Sequence, residues 1–151
     1  MTRRDARRHA FMLVFQLPFH TEITVEDLAL TKKNYYEDLE ERPNGKNAEY
    51  IDRVVWGVFE RCPQLDAVIE NFLRDWDIAR ISKIDLALMR LSIYEMLCEG
   101  DVPLGVAVNE AVELAKEYGT DESSAFINGV LGNVSRSIKE KGQPRDGGLL
   151  G

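Results

Sequence analysis

The chain has few of the residues that build catalytic centres or covalent staples. Its 151 residues include two histidines, two cysteines and five prolines. Cys62 and Cys98 lie 36 positions apart, which is neither a disulfide framework nor the spacing of a metal-ligand pair. A reducing, cytoplasmic setting is the simplest expectation from so little cysteine. His9 and His20 are the only histidines, and no H-E-x-x-H, nucleophile elbow or phosphate-cradling glycine loop is present. No apolar run approaches the ~18–20 residues of a membrane span. Phe11–Phe15, the apolar run behind the arginine-rich opening, is too short for a secretory signal and is followed by no small-residue cleavage site. No window alternates polar and apolar residues between turn signals, so no strand is expected.

What the chain does have is a globular composition, with 44% hydrophobic and 30% charged residues. A domain of this length buries roughly 70% of its unfolded surface without staples. The net charge is −7, unevenly spread. Residues 1–10 carry four arginines against Asp5, a local +3, which leaves −10 on the remainder. An acidic body excludes a protein coated in positive charge for indiscriminate nucleic-acid binding. It leaves room for an anionic ligand at the basic tip and a basic partner on the body.

Helical periodicity runs almost throughout. Helices are expected at about 3–17, 25–41, 46–61 and 64–75, with Pro18 ending the first and Pro63 separating the third from the fourth. From Ser82 to Glu99, Leu86, Met89, Ile93, Met96 and Leu97 recur mostly at three- and four-residue steps. Ser82 is a cap with Asp85 completing an S-x-x-D box, and Gly100 is the stop. Another helix follows Pro103 and ends at Gly119, and a last one spans about 121–141. The expectation is an all-α protein of about seven helices, a single domain over 1–141 with a frayed tail over 142–151.

Several features bear on function. Arg3 and Arg7 are four apart, as are Arg4 and Arg8, so each pair faces one way on a helix. Like charges at that spacing cost ~0.2–0.5 kcal/mol per pair, and cations at a helix start oppose its macrodipole. Either an external polyanion relieves this repulsion or the cluster is simply solvated or paired with the acidic body; the charge pattern leaves both open. Phe126 is either a core ring or a rim ring able to stack on an unpaired base. Gly129, inside a helix, suggests close packing at a helix crossing, with approach by a ligand backbone as the other reading. Asp85, Arg90, Tyr94 and Glu95 interrupt an apolar helix and must be buried in pairs or lie at an interface. The acidic neighbours Glu37, Asp38, Glu40 and Glu41 read as a solvated face, and nothing pairs Cys62 or Cys98 with a histidine. No metal site, cofactor or enzymatic activity is expected.

Longer strings carry a resemblance. DVPLGVAVNEAVELAKEYGT (101–120) and SAFINGVL (124–131) resemble the signature half of the NusB family of transcription antitermination factors. LALMRLSIYEML (86–97) is similar to that family's L-R-x-x-x-Y-E-L helix, and RRDARRHAFMLVFQ to its R-R-x-A-R-x-x-A opening. Trp76 and Arg80 fall where members carry a tryptophan and an arginine. The resemblance extends from residue 3 to about 139.

It implies a fold of two small packed helical bundles and a non-enzymatic role. That role is binding the boxA element of ribosomal RNA leader transcripts together with the ribosomal protein NusE, helping assemble an antitermination complex. Other Nus factors and RNA polymerase are then indirect partners. The RNA surface implied is Arg3, Arg4, Arg7 and Arg8 with Glu122, Ser124 and Phe126; the NusE surface is Asp85 with the neighbourhood of Tyr94 and Glu95. Some members dimerise, and a homodimer could mask the arginines. Met12 and Ala125 depart from residues often found in members, and Ala125 lacks a lysine useful for phosphate contact. Losing one such contact lowers affinity without changing which sequence is read. Two other readings remain: an RNA-binding module for another transcript, and a protein–protein adaptor that never touches RNA.

Overall fold

The computed structural model describes residues 1–17, 23–74 and 77–148. Pro18, His20 and Trp76 lie outside the described residues, as do the two leucines of the tail. The described chain is all-helical: α1 (Arg3–Gln16), α2 (Val25–Glu37), α3 (Gly45–Phe72), a 3₁₀ turn at Ile78–Arg80, α4 (Lys83–Cys98), α5 (Leu104–Tyr118) and α6 (Ser123–Lys141). It packs as two compact units, residues 1–60 and 61–151. Two small helical bundles are what the family resemblance implies, although no linker-like sequence marks a division. The boundary is hidden inside α3.

Among the described residues there are six α-helices rather than about seven, because α3 joins two helices across a kink next to Pro63, where the break between the third and fourth was expected. Arg61 leaves helical geometry at φ −112°, ψ 19°, two residues before the proline. A proline has no N–H to give to the preceding turn, but it suits the first turn of a helix, so the second half restarts from it. Helix α2 stops at Glu37 instead of running to 41. Asp38, Glu40 and Glu41 would have put negative charge at its negative end.

In the first unit, α1 is capped by Thr2, whose side chain accepts from the Asp5 N–H while the Asp5 carboxylate accepts from the Thr2 N–H. Ala6, Ala10, Phe11, Leu13 and Val14 are its buried apolar face. The opposing core residues on α3 are Tyr50, Ile51, Val54 and Val58.

In the second unit, α4 is buried on nearly every side, with Leu88, Met89, Ile93, Met96 and Leu97 almost fully enclosed. Helices α5 and α6 pack on it and on each other. Inside that packing, Ser92 Oγ donates to the Ala107 carbonyl at 3.0 Å. Gly142, at φ 59°, closes α6: its N–H reaches the Lys139 carbonyl and that of Gln143 reaches Ile138.

The segment after Gly142 was expected to fray, but it is held as far as the description runs. Arg145 Nε donates to the Met96 carbonyl at 2.6 Å and Nη2 to that of Glu99 at 3.2 Å, covering carbonyls in the last turn of α4 and at its C-cap. The Gly147 N–H adds a bond to the Leu97 carbonyl at 2.9 Å.

Candidate nucleic-acid interface

The basic tip belongs to the first unit and is more ordered than a solvated cluster. Asn47, near the start of α3, accepts from Arg3 Nε at 3.1 Å and donates to the Met1 carbonyl at 2.9 Å, fixing the entry to α1. Arg3 lies over the Tyr50 ring, 4.3 Å from its centroid. Arg8 reaches Asp5 Oδ1 at 3.3 Å, and Arg4 and Arg3 are exposed. Hydrogen bonds from the Thr2 backbone and hydroxyl, with Arg8 adding attraction, hold the Asp5 carboxyl below its ordinary range.

Arg7 behaves differently. It is only 5% exposed, with its guanidinium 5.7 Å from the Tyr50 ring. The four-residue spacing puts it on the same face as Arg3, but one turn further along, where it is covered. Arg7, expected on the RNA surface with its three neighbours, is thus the one of the four that is buried. His9, further along α1, meets the Tyr35 hydroxyl through Nδ1 at 2.7 Å.

A second group of predicted residues converges in the second unit. A recess of about 340 Å³ is lined by Arg80, Ser82, Asp85, Glu122, Ser123 and Phe126, among others. Phe126 is half-buried and lines this recess, so the ring is not fully enclosed in the core. Asp85 lines the same recess, joining an expected partner contact to two expected RNA contacts, Glu122 and Phe126. Only half of the S-x-x-D box forms: Ser82 Oγ accepts from the Asp85 N–H at 3.1 Å, while Asp85 Oδ1 is buried with no hydrogen-bond partner among the described residues. Ser124 is half-buried one residue from the recess lining.

The floor is shaped by Ser123, whose Oγ accepts from the Thr120 N–H at 3.0 Å. Gly119 makes that turn fit. A Cβ there would stand 2.6 Å from the Ser123 side chain and 2.8 Å from the Ala115 carbonyl. Arg80, the cation of the recess, is a residue that charge reasoning passed over. Its match to a family arginine was the available signal.

Tyr94 and Glu95 do not join this surface. They are 6% and 1% exposed. Tyr94 is nine residues from Asp85, half a revolution around α4, so the two face opposite ways. Tyr94 thus points away from the Asp85 side of α4, and Glu95 is enclosed in the core. Both side chains, expected near a partner surface, are buried in this structure.

Nucleophilic chemistry finds no support here. Burial pushes the Cys62 thiol up to about 11, leaving it a packing residue, and Cys98 is shifted the same way. Among the described residues, no group of His, Cys, Asp and Glu side chains could hold a metal ion, and no helix is long and apolar enough to cross a membrane.

The described chain is all-helical, with an arginine-bearing first helix in one unit and, in the other, a largely apolar recess that also holds Arg80, Asp85 and Glu122 beside the Phe126 ring. The NusB family model matches residues 4–136. Transcription antitermination protein NusB of Acetivibrio thermocellus is 45% identical over 147 residues, covering 97% of this chain and 95% of that protein. Its counterpart in Enterococcus faecalis is 42% identical over 142 residues, covering 91% and 92%. A solved structure of T. maritima NusB superposes with a TM-score of 0.78 at 34% identity, covering 93% of this chain and 96% of that one. The chain belongs to the NusB family of transcription antitermination proteins, which are not enzymes. A crystal structure of antitermination factors NusB and NusE in complex with double-stranded RNA shares the fold, with a TM-score of 0.73 at 22% identity over 89% of this chain and 96% of that one.

Proposed function

We propose that this protein binds the boxA element of ribosomal RNA leader transcripts together with NusE and so helps assemble an antitermination complex on RNA polymerase in the cytoplasm. Residues 1–141 act as one RNA-binding module in this reading. The observation that carries it is the half-exposed Phe126 ring lining a recess that also holds Arg80, Asp85 and Glu122. A ring so placed can stack on an unpaired base, a contact worth ~1–3 kcal/mol. Carboxylates beside it can accept from base amino groups, which gives Glu122 a role in reading rather than only repelling. Asp85, with an unmet acceptor oxygen, suits a donor from a basic ribosomal protein. Arg3, Arg4 and Arg8 supply phosphate contacts from α1. The departure at Ala125 fits binding in which NusE supplies part of the affinity.

The test is fluorescence anisotropy of a labelled boxA-like single strand, with and without NusE, using wild type and Arg4→Ala/Arg8→Ala. Arg7 is left in place because it is buried. Binding is expected to tighten with NusE and weaken in the variant. Each phosphate contact removed should also flatten the dependence of log K on log salt by ~0.7. NusE association without RNA binding under any condition would sink this reading and leave a protein–protein adaptor.

A further inference from the structure

Helix α6 carries a polar stripe that the recess at Phe126 does not use up. Phe126, Asn133, Ser137 and Glu140 follow one another at steps of seven, four and three residues, which places them along one side of the helix. Gly129 stands on that side between Phe126 and Asn133, and nothing lies within 4 Å of where its Cβ would be. Past this bare stretch of backbone, the stripe enters a second recess of about 330 Å³. Asn71 at the end of α3 and Arg74 just beyond it line one side; Asn133, Arg136, Ser137 and Glu140 of α6 line the other.

Its charge is unusual for this chain. The sequence holds 26 carboxylates, yet neither Arg74 nor Arg136 forms an ion pair with any described one. Arg136 donates to the Asn133 amide oxygen instead. Two guanidiniums and two side-chain amides therefore face a single acid, Glu140. Guanidiniums bind phosphate oxygens as paired donors, and asparagine amides add neutral ones.

We infer that this recess is a second RNA contact, taking backbone phosphates of a strand that runs from Phe126 along α6 over Gly129 to Arg74 and Arg136. The inference rests on the RNA-binding reading above and extends it. Ten residues of helix separate Phe126 from Arg136, about 15 Å. A stacked strand advances ~3.4 Å along its axis per phosphate, so a strand that stays stacked must continue roughly four to five nucleotides beyond the base on Phe126 to cover that rise. The recess is thus engaged only by RNA longer than the element stacked at Phe126, and it reads no bases.

The experiment compares a boxA-like core strand with the same core extended by about five nucleotides at the 5′ or the 3′ end, a length set by those two spacings. Each is titrated against wild type, Arg74→Gln/Arg136→Gln and Glu140→Gln, with thermal melting as the folding control. One extension is expected to tighten wild-type binding several-fold. The double variant should abolish that gain, lower the salt slope for the extended strand by ~1.4, and leave core binding unchanged. E140Q, which keeps both arginines, should enlarge the gain. If neither extension tightens binding, or the gain survives in the double variant, the second contact is refuted while the boxA reading stands. If the double variant loses NusE association instead, the recess faces protein and the inference falls. Absence of any core binding with NusE present removes the primary reading and this one with it.

Discussion

The guanidinium of Arg90 on α4 closes on the carboxylate of Asp66 on α3 through two parallel hydrogen bonds, Nε to Oδ1 at 2.7 Å and Nη2 to Oδ2 at 2.8 Å. The side chains are 13% and 26% exposed, so the pair is shielded without being sealed. Cys62 Sγ points at the same carboxylate from one turn earlier, at 3.8 Å. This fork ties the second half of the bent helix α3 to the central helix of its unit.

Removing one side of it should be costly. Hydrogen bonds to charged groups contribute ~1.5–3 kcal/mol, and the partner left behind is partly desolvated. Arg90→Ala and Asp66→Ala are each expected to lower stability by about that amount in urea unfolding. The double variant should lose less than the sum of the two.

Phe126→Ala separates stacking from packing. The ring is half-buried, so its loss should cost well below the ~3–5 kcal/mol of a core phenylalanine. RNA affinity should fall by ~1–3 kcal/mol in the same variant. A collapse in melting temperature with affinity retained would return the ring to a core role.

Gly129→Ala should stabilise the free protein. The expectation of a tightly packed helix crossing at this residue is not met, since its missing Cβ faces open space. Glycine inside a helix costs ~0.5–1 kcal/mol relative to alanine, and nothing in the packing offsets that. Urea titration should show the gain; a loss of stability would mean the space is filled in the folded state.

The pH response should contain a histidine step. Burial holds the His9 imidazole below its ordinary 6.5, so the unfolded chain takes up a proton that the folded one disfavours. Stability from neutral His9 is complete above about pH 6.5 and is lost as pH falls through that value toward the lower folded one. Wild type is therefore expected to lose more stability than His9→Gln between pH 7.5 and 5.5, a window chosen to bracket the ordinary histidine value. Equal losses would place the proton elsewhere.

Local chemistry determined most of the helices and the family. Apolar residues at three- and four-residue steps, the caps at Thr2 and Ser82, and the stops at Gly100, Gly119 and Gly142 act within a turn or two of chain, so they are legible from sequence. The strings around Asn109 and Asn128 carried the family before any packing was known. Tertiary structure decided the rest, because exposure depends on what distant segments bring. Pro63 breaks a local hydrogen-bond ladder, but whether the chain bends or stops there depends on what the next turns pack against. Arg3 and Arg7 share a helix face by spacing and both approach the Tyr50 ring, more than forty residues on, yet one is exposed and the other buried. Asp85 and Glu95 look alike as acids in an apolar helix. The packing around α4 opens a recess beside the first and encloses the second, because a helical period names the faces of a helix and only its neighbours decide which of them water can reach.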